Sequence, residues 1–123
     1  MTAIGLRRGA DIAARLVDVG VRIVRLSRRI ARDSVSRHIA MQLLRSGTSA
    51  GANYEEARGA ESRADFIHKL RIATKELRES IYWLRLVHRA ELVADDLRPL
   101  ASELEQVCAI LAASARTARE SAL

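Results

Sequence analysis

The chain has 123 residues, 49% hydrophobic and 29% charged, with six Gly and one Pro; this is the balance of one folded helical domain and excludes a disordered chain. Its net charge of +6 is uneven, with eight Arg against three Asp in residues 1–33 and three Arg against five acids in residues 92–123, so the basic end suits phosphates or acidic partners. The single Cys108 cannot form an internal disulfide, and the chain lacks both a secretory apolar core and a run of 18 apolar residues, which predicts a cytoplasmic protein that does not span a membrane.

Ile12, Leu16, Val19, Ile23, Leu26 and Ile30 recur at alternating spacings of four and three, one stripe of a first helix over residues 10–31. Beside them Ala13, Val17, Gly20, Val24, Ser27 and Ala31 widen the apolar face, which points to a second neighbour or another subunit. The opposite flank carries Arg8, Arg15, Arg22 and Arg29 at intervals of seven, with Arg25 and Arg32 alongside.

Asp33, Ser34 and Ser36 offer side-chain oxygens to cap a second helix, residues 35–58. Its inward stripe of Ile39, Leu43, Gly47, Ala50, Tyr54 and Ala57 shrinks to Gly and Ala in the middle. Gly inside a helix costs about 1 kcal/mol against Ala, so Gly47 and Gly51, one turn apart, predict a close backbone approach. Ser46, Thr48, Ser49 and Asn53 surround that contact. The buried ones are expected to bond to another helix or to backbone carbonyls, with Ser49 and Asn53 as a polar tie that sets register.

Arg58 and Gly59 end this helix, and Ser62, with Asp65 three residues on, caps a third over residues 63–91. Phe66, Leu70, Ala73, Leu77, Ser80, Ile81, Leu84 and Val87 face inward, while Arg71, Lys75, Arg78, Tyr82, Arg85 and Arg89 occupy adjoining outer rows. Asp95 or Asp96 is expected to cap a fourth helix, residues 96–119, with Pro99 in its first turn and Leu97, Leu100, Leu104, Val107, Leu111 and Ala118 inward. Residues 1–9 and 120–123 are expected to fray. Four amphipathic helices, each about 30–40 Å long, joined by short links predict an all-α, antiparallel up-down-up-down four-helix bundle forming a single domain over residues 1–123.

Little here favours catalysis. A di-metal bundle needs inward Glu and Glu-x-x-His motifs, whereas the nearest approach is Asp65-x-x-His68, with His68 on the outer flank. His38, His68 and His88 lack partners at ligand spacing, and no His stands near Ser46 or Ser49 in their own helix to activate a hydroxyl. Gly47-x-x-x-Gly51 lacks the Lys-Ser/Thr of a phosphate loop. Neither a metal nor a cofactor is expected.

The run QLLRSGTSAGANYEEA followed by RGAESRADFIHKLRIATKELRESIYWL resembles the bacterial four-helix bundle family named for proteins encoded in intervening sequences of 23S ribosomal RNA genes. The likeness spans about Val21 to Ala118 and rests on Gln42, Arg45, Ser46, Ser49, Asn53, Glu56, Ser62, Phe66 and Leu70; the basic segment MTAIGLRRGAD is a departure. The resemblance implies an up-and-down bundle that assembles into homopentameric rings, kinship with the accessory protein of diversity-generating retroelements, which binds nucleic acid and a reverse transcriptase through basic surfaces, and no catalytic residue. Arg45, Ser46, Gly47, Ser49, Gly51, Asn53 and Glu56 are therefore read as a structural motif.

The functional expectation rests on the arginine flanks: Arg15, Arg22, Arg25 and Arg29 on helix one, and Arg71, Lys75, Arg78, Tyr82, Arg85 and Arg89 on helix three. Mixed signs would solubilise better than one-sided charge, and a tyrosine among cations is placed to stack on a base. Three readings stay open: a non-enzymatic homo-oligomer binding RNA or DNA with low sequence specificity, a module docking a polymerase such as a reverse transcriptase or another protein, and a merely solvated surface.

Overall fold

The stripes become helices α1 (Ala3–Ile30), α2 (Ser34–Arg58), α3 (Arg63–Arg89) and α4 (Arg98–Glu120), with no strand among the described residues. The structure, a computed structural model, describes residues 3–121, with side chains from residue 8. Each helix packs on the next, α4 closes on α1 through the thinnest of the four seams, and diagonal helices make no backbone contact. This is a four-helix bundle. The inward rows interlock as one core in which Leu16, Ile23, Leu43, Leu77, Leu84, Leu104 and Leu111 are among the fully buried side chains; burying each contributes about 2–3 kcal/mol against leaving it exposed.

The cross-helix contacts fix register. Tyr54 Oη donates to the Gly9 carbonyl at 3.4 Å, Gly51 lies beside Leu16, and Gly47 beside Ile23, so positions rise along α1 as they fall along α2. A Cβ on Gly47 would overlap Ile23 Cδ1 and stand 3.0 Å from Cγ2, whereas one on Gly51 would meet Leu16 Cβ at an ordinary 3.5 Å. Gly51 is thus the one that faces the neighbouring backbone, with the Leu16 carbonyl oxygen 3.7 Å from its Cβ position, whereas at Gly47 the Ile23 side chain would have to shift to admit a methyl.

The expected polar tie exists, but between other residues. Ser46 and Ser80, both fully buried, join α2 to α3 through hydroxyls 2.8 Å apart. Each hydroxyl also reaches a carbonyl of its own helix, Ser80 that of Glu76 at 2.9 Å and Ser46 that of Leu43 at 3.3 Å, and either can donate across the seam. Asn53 instead donates within α2, to the Ser49 carbonyl at 2.9 Å and its hydroxyl at 3.1 Å. Ser49 and Asn53 therefore set no register; four residues apart, they satisfy each other locally.

The helix ends correct three boundaries. Asp33 caps α2 by accepting from the Ser36 N–H at 2.8 Å, and Ser62 caps α3 by accepting from the Asp65 N–H at 3.1 Å. α1 begins at Ala3 rather than near residue 10; Gly9 and Asp11 are carried inside the helix instead of starting it. Part of the expected fraying falls on residues 1–2 and 122–123, outside the described residues. α3 stops at Arg89 because Glu91 adopts φ 55; the Glu91 N–H donates to the His88 carbonyl and the Leu92 N–H to the Val87 carbonyl, both at 3.1 Å, a Schellman closure. α4 starts at Arg98 behind Leu97, which gives no side-chain cap. Asp96 still accepts from the Arg98 N–H at 3.1 Å, while Asp95 turns to α1.

Candidate nucleic-acid interface

The two arginine flanks meet different fates. On α1, Arg15 grips Glu103 of α4 with both arms of its guanidinium, at 2.9 and 2.7 Å, and reaches Gln106 at 3.3 Å. Arg29 does the same with Asp95, at 3.3 and 2.6 Å. The hydrogen bond from Arg15 holds the Glu103 carboxyl below the usual carboxylate range and raises Arg15 further. Arg22 leans on Asp18 at 3.8 Å. Arg25 remains exposed with no ion pair among the described residues. Two of the four candidate arginines of α1, Arg15 and Arg29, thus clasp the chain around the start of α4.

The α3 flank is open. Arg71, Lys75, Arg78, Arg85 and Arg89 are exposed, and none forms an ion pair among the described residues. The carboxylates at its margin are already engaged: Arg45 of α2 reaches Glu76 at 3.2 Å and also pairs with Glu79. That bridge, one guanidinium shared by two carboxylates, offsets half of the negative charge beside the flank. Glu79 also accepts from Trp83 Nε1 at 3.1 Å. Trp83 in turn meets Tyr82 edge to face, centroids 4.9 Å apart at 74°. Tyr82, 56% exposed, therefore stands on a braced support with its ring available to stack.

α4 contributes two cations, Arg116 and Arg119, that are absent from the candidates named from the sequence. Arg116 and Arg119 face Arg71 and Arg78 across a groove of about 330 Å³, floored by Thr74, Ala112 and Ala115. An adjoining hollow of about 430 Å³ is lined by Arg78, Ile81, Arg85, Glu105, Cys108, Ala109 and Ala112. Burial pushes the Cys108 thiol up, and its Sγ lies 3.8 Å from the Thr74 carbonyl, so it serves as packing. The i, i+3 spacing of Arg116 and Arg119, each one turn or so beyond Ala112 and Ala115, is the signal that marks them as a helix face.

The remaining motif residues make contacts within and between helices. Besides the Ser46 and Gly47 contacts and the Arg45 fork, Glu56 pairs with Lys69 at 3.2 Å, tying α2 to α3. Among the described residues no group of three or more His, Cys, Asp or Glu side chains is placed to hold a metal ion, and no helix is long and apolar enough to cross a membrane.

Residues 10–113 match the family model described as 23S rRNA-intervening sequence protein. A crystal structure of a protein of unknown function from the S23 ribosomal protein family of Bacteroides thetaiotaomicron is 35% identical and superposes with a TM-score of 0.81, covering 88% of this chain and 97% of that one. No curated protein matches the chain.

Proposed function

The chain belongs to the 23S rRNA-intervening sequence protein family, and from that premise we propose that it is a non-enzymatic, homo-oligomeric, cytoplasmic bundle whose α3 flank binds nucleic acid, RNA before DNA, with low sequence specificity. One observation carries this reading: the α3 cations stay exposed and unpaired among the described residues, while on α1 Arg15 is held by Glu103 of α4 and Arg29 by Asp95 in the α3–α4 link. A surface that only needed solubility has no use for Arg45 drawing the nearby carboxylates off the flank.

From Arg71 to Arg89 the helix rises about 27 Å, long enough to track several phosphates of a strand. Guanidinium forks match phosphate oxygens and read no sequence, and Tyr82 adds a base-tolerant stacking surface. Specificity is accordingly low.

The test is RNA affinity against salt. With three or more phosphates neutralised, log affinity should fall against log salt with a slope of about −2 or steeper. Reversing charge at Arg71, Arg78 and Arg85 should weaken binding about tenfold or more. Binding indifferent to salt and to these substitutions would overturn the reading and leave the module that docks a polymerase or reverse transcriptase, detectable as co-purification that survives nuclease and high salt.

Assembly belongs to the same proposal. Val17, 65% exposed, Val21, 41%, and Met41, 56%, lie on the outer faces of α1 and α2. Nothing lies within 4 Å of a Cβ built on Gly20 between the two valines. A mid-helix glycine with open space above it costs about 1 kcal/mol without local return, and a second copy packed on this face supplies one. A pentameric ring is the form proposed.

A further inference from the structure

The geometry points to the α3–α4 groove as a seat for an oligophosphate, two or three consecutive phosphate groups held by Arg71, Arg78, Arg116 and Arg119. This deepens the nucleic-acid reading, since Arg71 and Arg78 serve both, but it adds a ligand form and two α4 residues that an α3 stripe does not need.

The four guanidiniums line a single groove, and none has an ion-pair partner among the described residues. Four like charges turned toward one space repel one another, and an anion between them removes that cost. The last turn of a helix attracts cations by itself. That attraction acts on any side of α4, however, and does not account for Arg116 and Arg119 facing Arg71 and Arg78.

The shape narrows the ligand. A volume of about 330 Å³ is at the small end of ligand sites and suits a few phosphate groups. One orthophosphate has too little charge and too few oxygens for four planar forks; a chain of two or three phosphates has enough of both. The small side chains of Ala112 and Ala115 leave the floor open. Glu105 in the adjoining hollow repels an anion there, which confines the charge to the end nearer Arg116 and Arg119.

An oligophosphate has two natural sources, the 5′-triphosphate end of an RNA and a free polyphosphate. Calorimetry on the full chain at fixed ionic strength, with inorganic tripolyphosphate as probe, tests the seat. Tripolyphosphate should bind at least tenfold tighter than orthophosphate. Joint Arg116→Ala and Arg119→Ala should weaken it at least tenfold, while Arg28→Ala with Arg37→Ala, an equal loss of charge elsewhere, should change it less than twofold. The circular dichroism melt should be unmoved in both variants, because all four side chains are exposed.

An RNA carrying a 5′-triphosphate that binds tenfold better than the same RNA with a 5′-hydroxyl, and loses that advantage in the α4 variant, assigns the seat to an RNA end. Indifference to the 5′ end, with tripolyphosphate binding intact, assigns it to a free polyphosphate. Equal sensitivity of tripolyphosphate binding to the two double variants overturns the seat. Failure of the 5′-hydroxyl RNA to bind at all removes the nucleic-acid reading and leaves the seat standing.

Discussion

Gly47 and Gly51 stand one turn apart in the same helix, and their surroundings predict opposite outcomes for the same substitution. Alanine at Gly47 drives a methyl into Ile23, a side chain with no exposed surface. Overpacking of this kind costs about 1–3 kcal/mol, against a gain in helix propensity of about 1 kcal/mol. Gly47→Ala should therefore destabilise by roughly 1 kcal/mol, read as a lower midpoint in denaturant. At Gly51 the added methyl meets Leu16 at ordinary distance, so Gly51→Ala keeps the propensity gain and should raise the midpoint by up to about 1 kcal/mol. Equal shifts would mean that the α1–α2 contact is not as tight as its register implies. Glu91 has its own consequence. Its φ of 55 costs a residue with a Cβ about 1 kcal/mol, its side chain is exposed, and no ion pair holds it among the described residues. Glu91→Gly should stabilise the bundle by about 0.5 kcal/mol after the added freedom of the unfolded chain is deducted.

The helices are joined unequally, and the ionic clasp between α1 and α4 contributes to the acid sensitivity of the bundle, beside the helix-end carboxylates Asp33 and Asp96, which Ser36 and Arg98 hold below the usual range. Glu103 is ionised and held by Arg15, its carboxyl below the usual range. A depressed carboxyl contributes stability above its unfolded pKa and loses it as pH falls through the folded one. The midpoint of unfolding should thus decline below about pH 4.5, and Glu103→Gln should flatten that decline. An unchanged acid profile in the variant would show the clasp to be energetically idle, as many exposed pairs are. The clasp also marks what the sequence withholds. Spacing placed Ile12 to Ile30, Leu43 to Ala57 and Leu70 to Val87 on their buried faces, because burial of a helix depends on its own period. It could not say that Arg15 and Arg29 are tied up, since their acids lie 88 and 66 residues away and one stripe does not reveal which helix runs alongside. Nor does the α4 pattern show that Arg116 and Arg119 share a groove with Arg71 and Arg78 beside Ala112 and Ala115, because the other wall belongs to a different helix.

At the scale of the whole molecule, the α3 stripe of one chain is a modest electrostatic surface, and assembly would make it a strong one. Two binding surfaces joined rigidly convert the second encounter into an intramolecular one, and avidity then exceeds single-site affinity by about 10²-fold or more. The exposed Val17–Val21 face of α1, with Gly20 open between the valines, is where a second copy is proposed to pack, away from the α3 cations. Charge placed there should separate assembly from folding. Val17→Glu with Val21→Glu exchanges exposed apolar surface for carboxylates that a subunit interface would have to bury unpaired. Helical content should persist, because neither valine belongs to the core, while light scattering should fall from an oligomer to the 13.6 kDa monomer. RNA affinity should then drop tenfold or more, although no residue of the α3 flank has been touched. A monomer mass for the unaltered protein at micromolar concentration would dispose of the ring. An unchanged oligomer in the variant would move the interface off α1. A dissociated variant that kept full affinity would show that one stripe suffices and that assembly serves something other than the grip on nucleic acid.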